Sequence, residues 1–186
     1  MLIVSAHQGY PRLLNSGADF LEIDIRRTEE GAIVISHDEP RPGGKHVTLD
    51  EVLDAAAGRI GLQLDLKEPG YEVELIRSAL ERLPPDKLVV TTEMEDSIRL
   101  IKQEFPEIRA GLTTQRIDPN RADFIALDQR YASDDALALA ERYGIKLWVW
   151  TVDDRRLMQR FVNDRRVEGI ITNRPDLALK LRSARS

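Results

Sequence analysis

Leu21-Glu22-Ile23-Asp24-Ile25 alternates aliphatic and acidic residues with a period of two, the spacing of a β-strand that packs one face and opens the other. The aliphatic face belongs against helices, so Glu22 and Asp24 project from the opposite one. Leu62-Gln63-Leu64-Asp65-Leu66-Lys67 repeats the device, with its leucines outward and Gln63, Asp65 and Lys67 inward. Strands that carry charge inward near their ends suit the mouth of a closed barrel, and the rest of the chain agrees. Apolar runs near 2–6, 20–25, 61–66, 88–92, 109–113, 123–127, 146–150 and 168–171 give eight strands separated by amphipathic stretches, the pattern of βα units. The expected fold is a small α/β barrel of the (β/α)8, TIM type.

The intervening helices show in their periodicity. Val73, Ile76, Leu80 and Leu83 recur at helical spacing in 71–83, as do Ile98, Ile101 and Phe105 in 95–105, and Leu157, Phe161 and Val162 in 154–163. Thr48-Leu49-Asp50-Glu51 fits a capping box, and Pro175 suits the first turn of a last helix. Ala32–Ser36 adds an extended run that returns beside the second strand as a hairpin. Two connections are thin: 10–19 allows a couple of helical turns at most, and 114–122 barely one. At 186 residues the chain also falls below the usual floor of about 200 for this fold. One or two outer helices are therefore expected to be shortened or missing, within a single domain spanning 1–186. Bare barrel surface left by them would favour a homodimer.

Composition bounds the rest. With 42% hydrophobic and 32% charged residues the chain has globular balance. A net charge of −5 argues against general nucleic-acid binding, though a bound metal and local cations leave room for an anionic small-molecule substrate. No cysteine is present, which excludes disulfides and thiolate chemistry. No stretch is long and apolar enough to span a bilayer, and the start lacks the pattern of a signal peptide, so the expectation is a cytoplasmic protein without integral membrane contact.

Polar residues collect at the strand C-terminal ends, where barrels of this type build their active sites. His7 follows the first strand, Glu22 and Asp24 lie late in the second, Asp65 and Lys67 close the third, and Glu93 follows the fourth. Asp128, Trp150, and Thr172 with Asn173 end later strands. Three carboxylates from neighbouring strands repel unless protonated, paired or metal-bound. A hard divalent cation would resolve the repulsion; so would an internal network in which Lys67 neutralises the acids. Two imidazoles beside the cluster, His7 and His37, are suited to move protons at neutral pH. Trp150 is expected to wall the mouth and Trp148 to pack beneath the helices.

These residues resemble a known family. His7-Gln8-Gly9, Glu22-Ile23-Asp24 and His37-Asp38 are similar to the ordered motifs in the N-terminal half of the glycerophosphodiester phosphodiesterases, and Leu64-Asp65-Leu66-Lys67 to a later Glu-x-Lys segment. Trp148–Asp153 and Gly169–Pro175 resemble the family's C-terminal signature. The resemblance implies a divalent metal ion, Mg2+ or Ca2+, on Glu22, Asp24 and Asp65. It implies His7 and His37 as the acid–base pair and Lys67 beside the phosphate. The implied reaction is cleavage of a glycerophosphodiester to an alcohol and sn-glycerol 3-phosphate. Gln8, Arg26, Glu93 and Trp150 are candidate substrate contacts, Arg26 because alternation turns it inward near a missing cation.

Three departures stand out. Gln8 occupies the family's arginine position, which removes a bidentate phosphate clamp. Asp65 replaces a glutamate. The insertion after His37-Asp38 shrinks to the 40–47 loop. Two other readings stay open: an enzyme like the related phospholipase D toxins, forming cyclic phosphates from lysophospholipids, and a barrel that binds a phosphorylated ligand without turnover.

Overall fold

The computed structural model describes residues 1–185. Its strands are β1 (Ile3–Ala6), β2 (Phe20–Arg27), β3 (Ile33–Ile35), β4 (Gly61–Leu66), β5 (Leu88–Thr92), β6 (Arg109–Thr114), β7 (Phe124–Asp128), β8 (Leu147–Trp150) and β9 (Val167–Thr172). Interleaved with them are helices α1 (Leu49–Ala56), α2 (Glu72–Leu80), α3 (Glu95–Glu104), α4 (Asp134–Tyr143), α5 (Arg155–Asn163) and α6 (Pro175–Ser183). All strands but β3 are parallel. Because β1 pairs with both β2 and β9, these eight close into a barrel. β3 lies outside the ring as the antiparallel partner of β2, with Ile35 opposite Ile25.

The aliphatic strand faces pack as expected. Leu21, Ile23, Ile25, Leu62, Leu64 and Leu66 are buried against the helix layer, joined by Leu75 and Ile76 of α2, Ile98 and Ile101 of α3, and Phe161 of α5. Thr48 forms the full capping box with Glu51, and Pro175 opens α6, where its missing N–H leaves no bond unmade. Among the described residues, no helix follows β1 or β6. Leu13 and Leu14 pack on the core from the first of these connections, and Ile117 is buried in the second. Loops thus pack on the flank that absent helices would bare.

Inside the barrel a floor of aromatic rings seals the N-terminal end. Phe124 stacks on Trp148 at 4.5 Å between centroids, and Phe20 stands 5.9 Å from the same indole. Each ring faces a glycine in register on a neighbouring strand: Phe20 opposite Gly61, Phe124 opposite Gly111, and Trp148 opposite Gly169. A Cβ at Gly111 would come within 2.3 Å of the Phe124 ring, so the narrow barrel accommodates its aromatics only where the adjacent strand has no side chain. Trp148 therefore lies inside the barrel and not beneath the helices. Residues 148 and 150 are two apart and must share a face; Val149 is the one that packs outward. The indole Nε1–H of Trp148 donates to Glu168 at 2.9 Å.

Candidate active site

With the floor closed, the polar residues at the opposite end line a cavity of about 180 Å3. Its walls include His7, Glu22, Asp24, Asp65, Lys67 and Trp150, with Gln8, His37 and Glu93 at the same mouth. Strand register brings the acids together: Glu22 is level with Gln63 and Asp24 with Asp65 on the adjoining strand. One oxygen from each of Glu22, Asp24 and Asp65 lies within 4.8 Å of the others. A larger recess of about 950 Å3 at the barrel's other end, beside Lys146 and Arg165, holds none of these groups.

The cluster is only partly neutralised. Lys67 Nζ lies 2.7 Å from Asp24 Oδ1 and 2.5 Å from Asp65 Oδ2, so one ammonium serves two carboxylates and the third, Glu22, has none of its own. Burial pushes the Glu22 carboxyl well above its ordinary pKa, and repulsion from Asp65 and Asp24 adds to it; the Gln8 backbone N–H and Lys67 act the other way. Lys67 is shifted up as well, since attraction to Asp65 and Asp24 outweighs the burial that disfavours its charge. Three carboxylate oxygens held this close, with one lysine among them, fit the donor set of a hard divalent cation. Lys67 and such an ion are complementary ways of meeting the same excess charge.

Neighbours fix these acids in place. Thr91 donates to Asp65 Oδ1 at 2.7 Å and accepts from Gln63 Nε2 at 3.2 Å. Gln63 Oε1 is buried without a partner among the described residues. Gln8 takes a left-handed backbone conformation, φ 43°, that sends its N–H to Glu22 Oε2 at 2.8 Å and its side-chain amide to Asp24 Oδ2 at 2.7 Å. His37 Nδ1 is 3.1 Å from the same Asp24 oxygen. A carboxylate only accepts, so that nitrogen carries the proton and donates. The second imidazole, His7, bonds through Nδ1 to Asn173 Oδ1 at 3.0 Å.

Two residues lie elsewhere than the pocket. Arg26 is inward by alternation, but its guanidinium pairs with Glu68 at 2.9 Å and its Nε–H donates to the His37 carbonyl at 3.0 Å. It braces the loop that carries His37 and is not a pocket cation. Asp128 is buried, caps the turn at 129–131 through the Arg130 N–H, and accepts the Arg130 guanidinium on both oxygens. Asp153 closes the Trp148–Asp153 motif, but sequence reasoning gives it no role of its own. It accepts from the Thr172 hydroxyl and from both the backbone and side chain of Asn173, behind His7.

Comparison with known proteins decides which family this geometry belongs to. Residues 62–177 match the Glycerophosphoryl diester phosphodiesterase family. The chain belongs to that family. It is therefore an enzyme of the phosphodiesterase class. A glycerophosphodiester phosphodiesterase of Caldanaerobacter subterraneus subsp. tengcongensis is 27% identical, covering 92% of this chain and 89% of the relative. One from Bacillus subtilis is 21% identical over 89% of this chain and 77% of its own length. Among solved structures, a glycerophosphodiester phosphodiesterase from Parabacteroides distasonis superposes with a TM-score of 0.85 at 19% identity, covering 99% and 98% of the two chains. An Oleispira antarctica phosphodiesterase in complex with the product sn-glycerol-3-phosphate gives 0.80, also at 19% identity, over 96% of each chain. These structural likenesses bear on the fold. No helix among the described residues of this phosphodiesterase is long and apolar enough to cross a membrane.

Proposed function

We propose that this phosphodiesterase hydrolyses a small glycerophosphodiester to an alcohol and sn-glycerol 3-phosphate, using Mg2+ or Ca2+, from one domain spanning the barrel. The observation that carries the reading is the convergence of Glu22, Asp24 and Asp65 beside two imidazoles in one strand-end cavity. Glu22, Asp24 and Asp65 would hold the cation, which supplies charge stabilisation to the phosphoryl oxygens when bound. Lys67, whose ammonium lies against Asp24 and Asp65, would add a second positive charge beside the phosphate. His7 and His37 flank the cluster, so one accepts the proton of a neighbouring substrate hydroxyl as it attacks phosphorus while the other protonates the departing alcohol oxygen. Water then opens the cyclic phosphate to sn-glycerol 3-phosphate.

Gln8 contributes neutral donors in place of a cationic clamp and commits its amide to Asp24, leaving phosphate recognition to Lys67 and the ion. Glu93 and Trp150, at the cavity rim, are the candidate contacts for the alcohol half of the substrate. The test is a metal-dependence assay on glycerophosphocholine with wild type, His7→Ala and His37→Ala. Each substitution is expected to lower kcat at least about 100-fold, and chelation to abolish turnover. Cleavage that survives both substitutions would contradict the reading. A cyclic phosphate accumulating as the end product, seen by phosphorus NMR, would transfer the assignment to the phospholipase D-like chemistry.

A further inference from the structure

Three neighbouring strand ends, β8, β9 and β1, are linked by a chain of hydrogen bonds running from Asp153 through Asn173 to His7. The Asp153 carboxylate accepts the Thr172 hydroxyl at 2.9 Å and the Asn173 backbone N–H at 2.8 Å on Oδ1, and the Asn173 Nδ2 at 2.7 Å on Oδ2. Burial alone would raise its pKa, but the Asn173 and Thr172 donors, with His7 beyond them, hold it below its ordinary value.

The chemistry of the first link sets the direction of the others. A carboxylate has nothing to donate, so Asn173 must turn its NH2 toward Asp153 and its carbonyl oxygen toward the imidazole. That oxygen can only accept. The His7 nitrogen 3.0 Å away must then carry a proton, and the neutral ring is the Nδ1–H tautomer. Nε2 is left with its lone pair and without a hydrogen-bond partner among the described residues, on a side chain lining the cavity that holds Glu22, Asp24 and Asp65.

We propose that Asp153 and Asn173 are positioning residues for His7, fixing its tautomer and ring orientation so that Nε2 is the nitrogen that exchanges protons with the substrate. This rests on the acid–base role given to His7 above. When Nε2 takes a proton from the attacking hydroxyl, the ring becomes imidazolium and Nδ1–H stays on Asn173. When the ring acts as the acid, the Nε2 proton goes to the departing oxygen and the same neutral tautomer returns. No proton travels through the amide.

The test uses the whole chain labelled with 15N-histidine. Long-range 1H–15N spectra report the His7 tautomer, and steady-state kinetics on glycerophosphocholine with divalent metal report turnover. Wild type is expected to show His7 as the Nδ1–H form. Asp153→Asn, isosteric but able to donate, frees the Asn173 amide to flip. It should populate the Nε2–H form and lower kcat about 10- to 100-fold, with KM changed less than about twofold. The exchanged pair Asp153→Asn with Asn173→Asp rebuilds an acceptor facing Nδ1 and should recover both tautomer and kcat, which a merely structural lesion would not. An Nε2–H tautomer in wild type, or a variant with unchanged tautomer and rate, overturns the proposal. A tautomer change with undiminished kcat upholds the positioning and removes the acid–base role of His7 instead.

Discussion

Asp24 on β2 stands level with Asp65 on β4, and the two carboxylates share the ammonium of Lys67. Like charges opposite each other on adjacent strands are unfavourable, and here Glu22 lies within reach as well. The barrel holds them together because its helix-facing leucines and isoleucines set the register, and that register cannot slip without moving those side chains out of the core. Packing in the outer layer thus offsets the cost of assembling an excess of negative charge at the mouth.

Lys67→Met tests how that charge is balanced. Without divalent ions the substitution leaves three acids with no lysine to share, and stability should fall by about 2 kcal/mol, less than the roughly 3–5 kcal/mol of a fully buried broken pair because Lys67 is partly exposed. Adding Mg2+ or Ca2+ should narrow the gap, since the ion replaces the missing charge. Urea unfolding with chelator and with metal measures both. A gap indifferent to the metal would mean that the ion binds elsewhere.

Gln8→Arg tests the departure from the family pattern. A guanidinium at the cluster edge provides paired charged donors, and KM for the diester should fall about 10-fold, with a parallel fall in the inhibition constant of sn-glycerol 3-phosphate. Initial-rate kinetics read it. If the introduced guanidinium merely locks onto Asp24, as the glutamine amide does, both constants will stay where they were.

Asp128→Asn carries a pH signature. The Arg130 side-chain bonds hold the Asp128 pKa below its ordinary value. A carboxyl depressed by folding adds stability above its unfolded pKa, about 4, and loses it as pH falls through the folded value. The asparagine variant should therefore melt about 2 °C lower at pH 7, with the difference closing on acidification below pH ~4. Melting curves from neutral pH down to about pH 2.5 would show it; a deficit constant across that range would assign the loss to the cap alone.

Gly111→Ala tests the aromatic floor. The added methyl meets the Phe124 ring, so about 2 kcal/mol of stability should be lost while divalent binding at the far end of the barrel persists. Thermal melts paired with a metal titration separate the two. A variant as stable as wild type would show that the floor has slack.

Much of this was legible in the sequence because it follows from period and local chemistry. The alternation in 21–25 and 62–67 reveals both the strand faces and the inward acids, and the thin stretches 10–19 and 114–122 mark the places without helices. What alternation cannot supply is the partner of a long side chain. It turns Arg26 inward correctly but cannot reveal Glu68, which meets it only after β2 and β4 pair. The period of two, properly applied, also places Trp148 with Trp150 inside the barrel. Asp153 falls in the Trp148–Asp153 motif, but its contact is not legible there; its meaning comes from Asn173, brought beside it by strand order.

The central claim is a cation gathered by Glu22, Asp24 and Asp65, and anomalous diffraction from crystals grown with Mn2+ tests it most directly. The account predicts one peak in the strand-end cavity, about 2.0–2.6 Å from an oxygen of each of the three carboxylates. No peak there, with Lys67 still clamped across Asp24 and Asp65 and the metal bound at some other site, would contradict it.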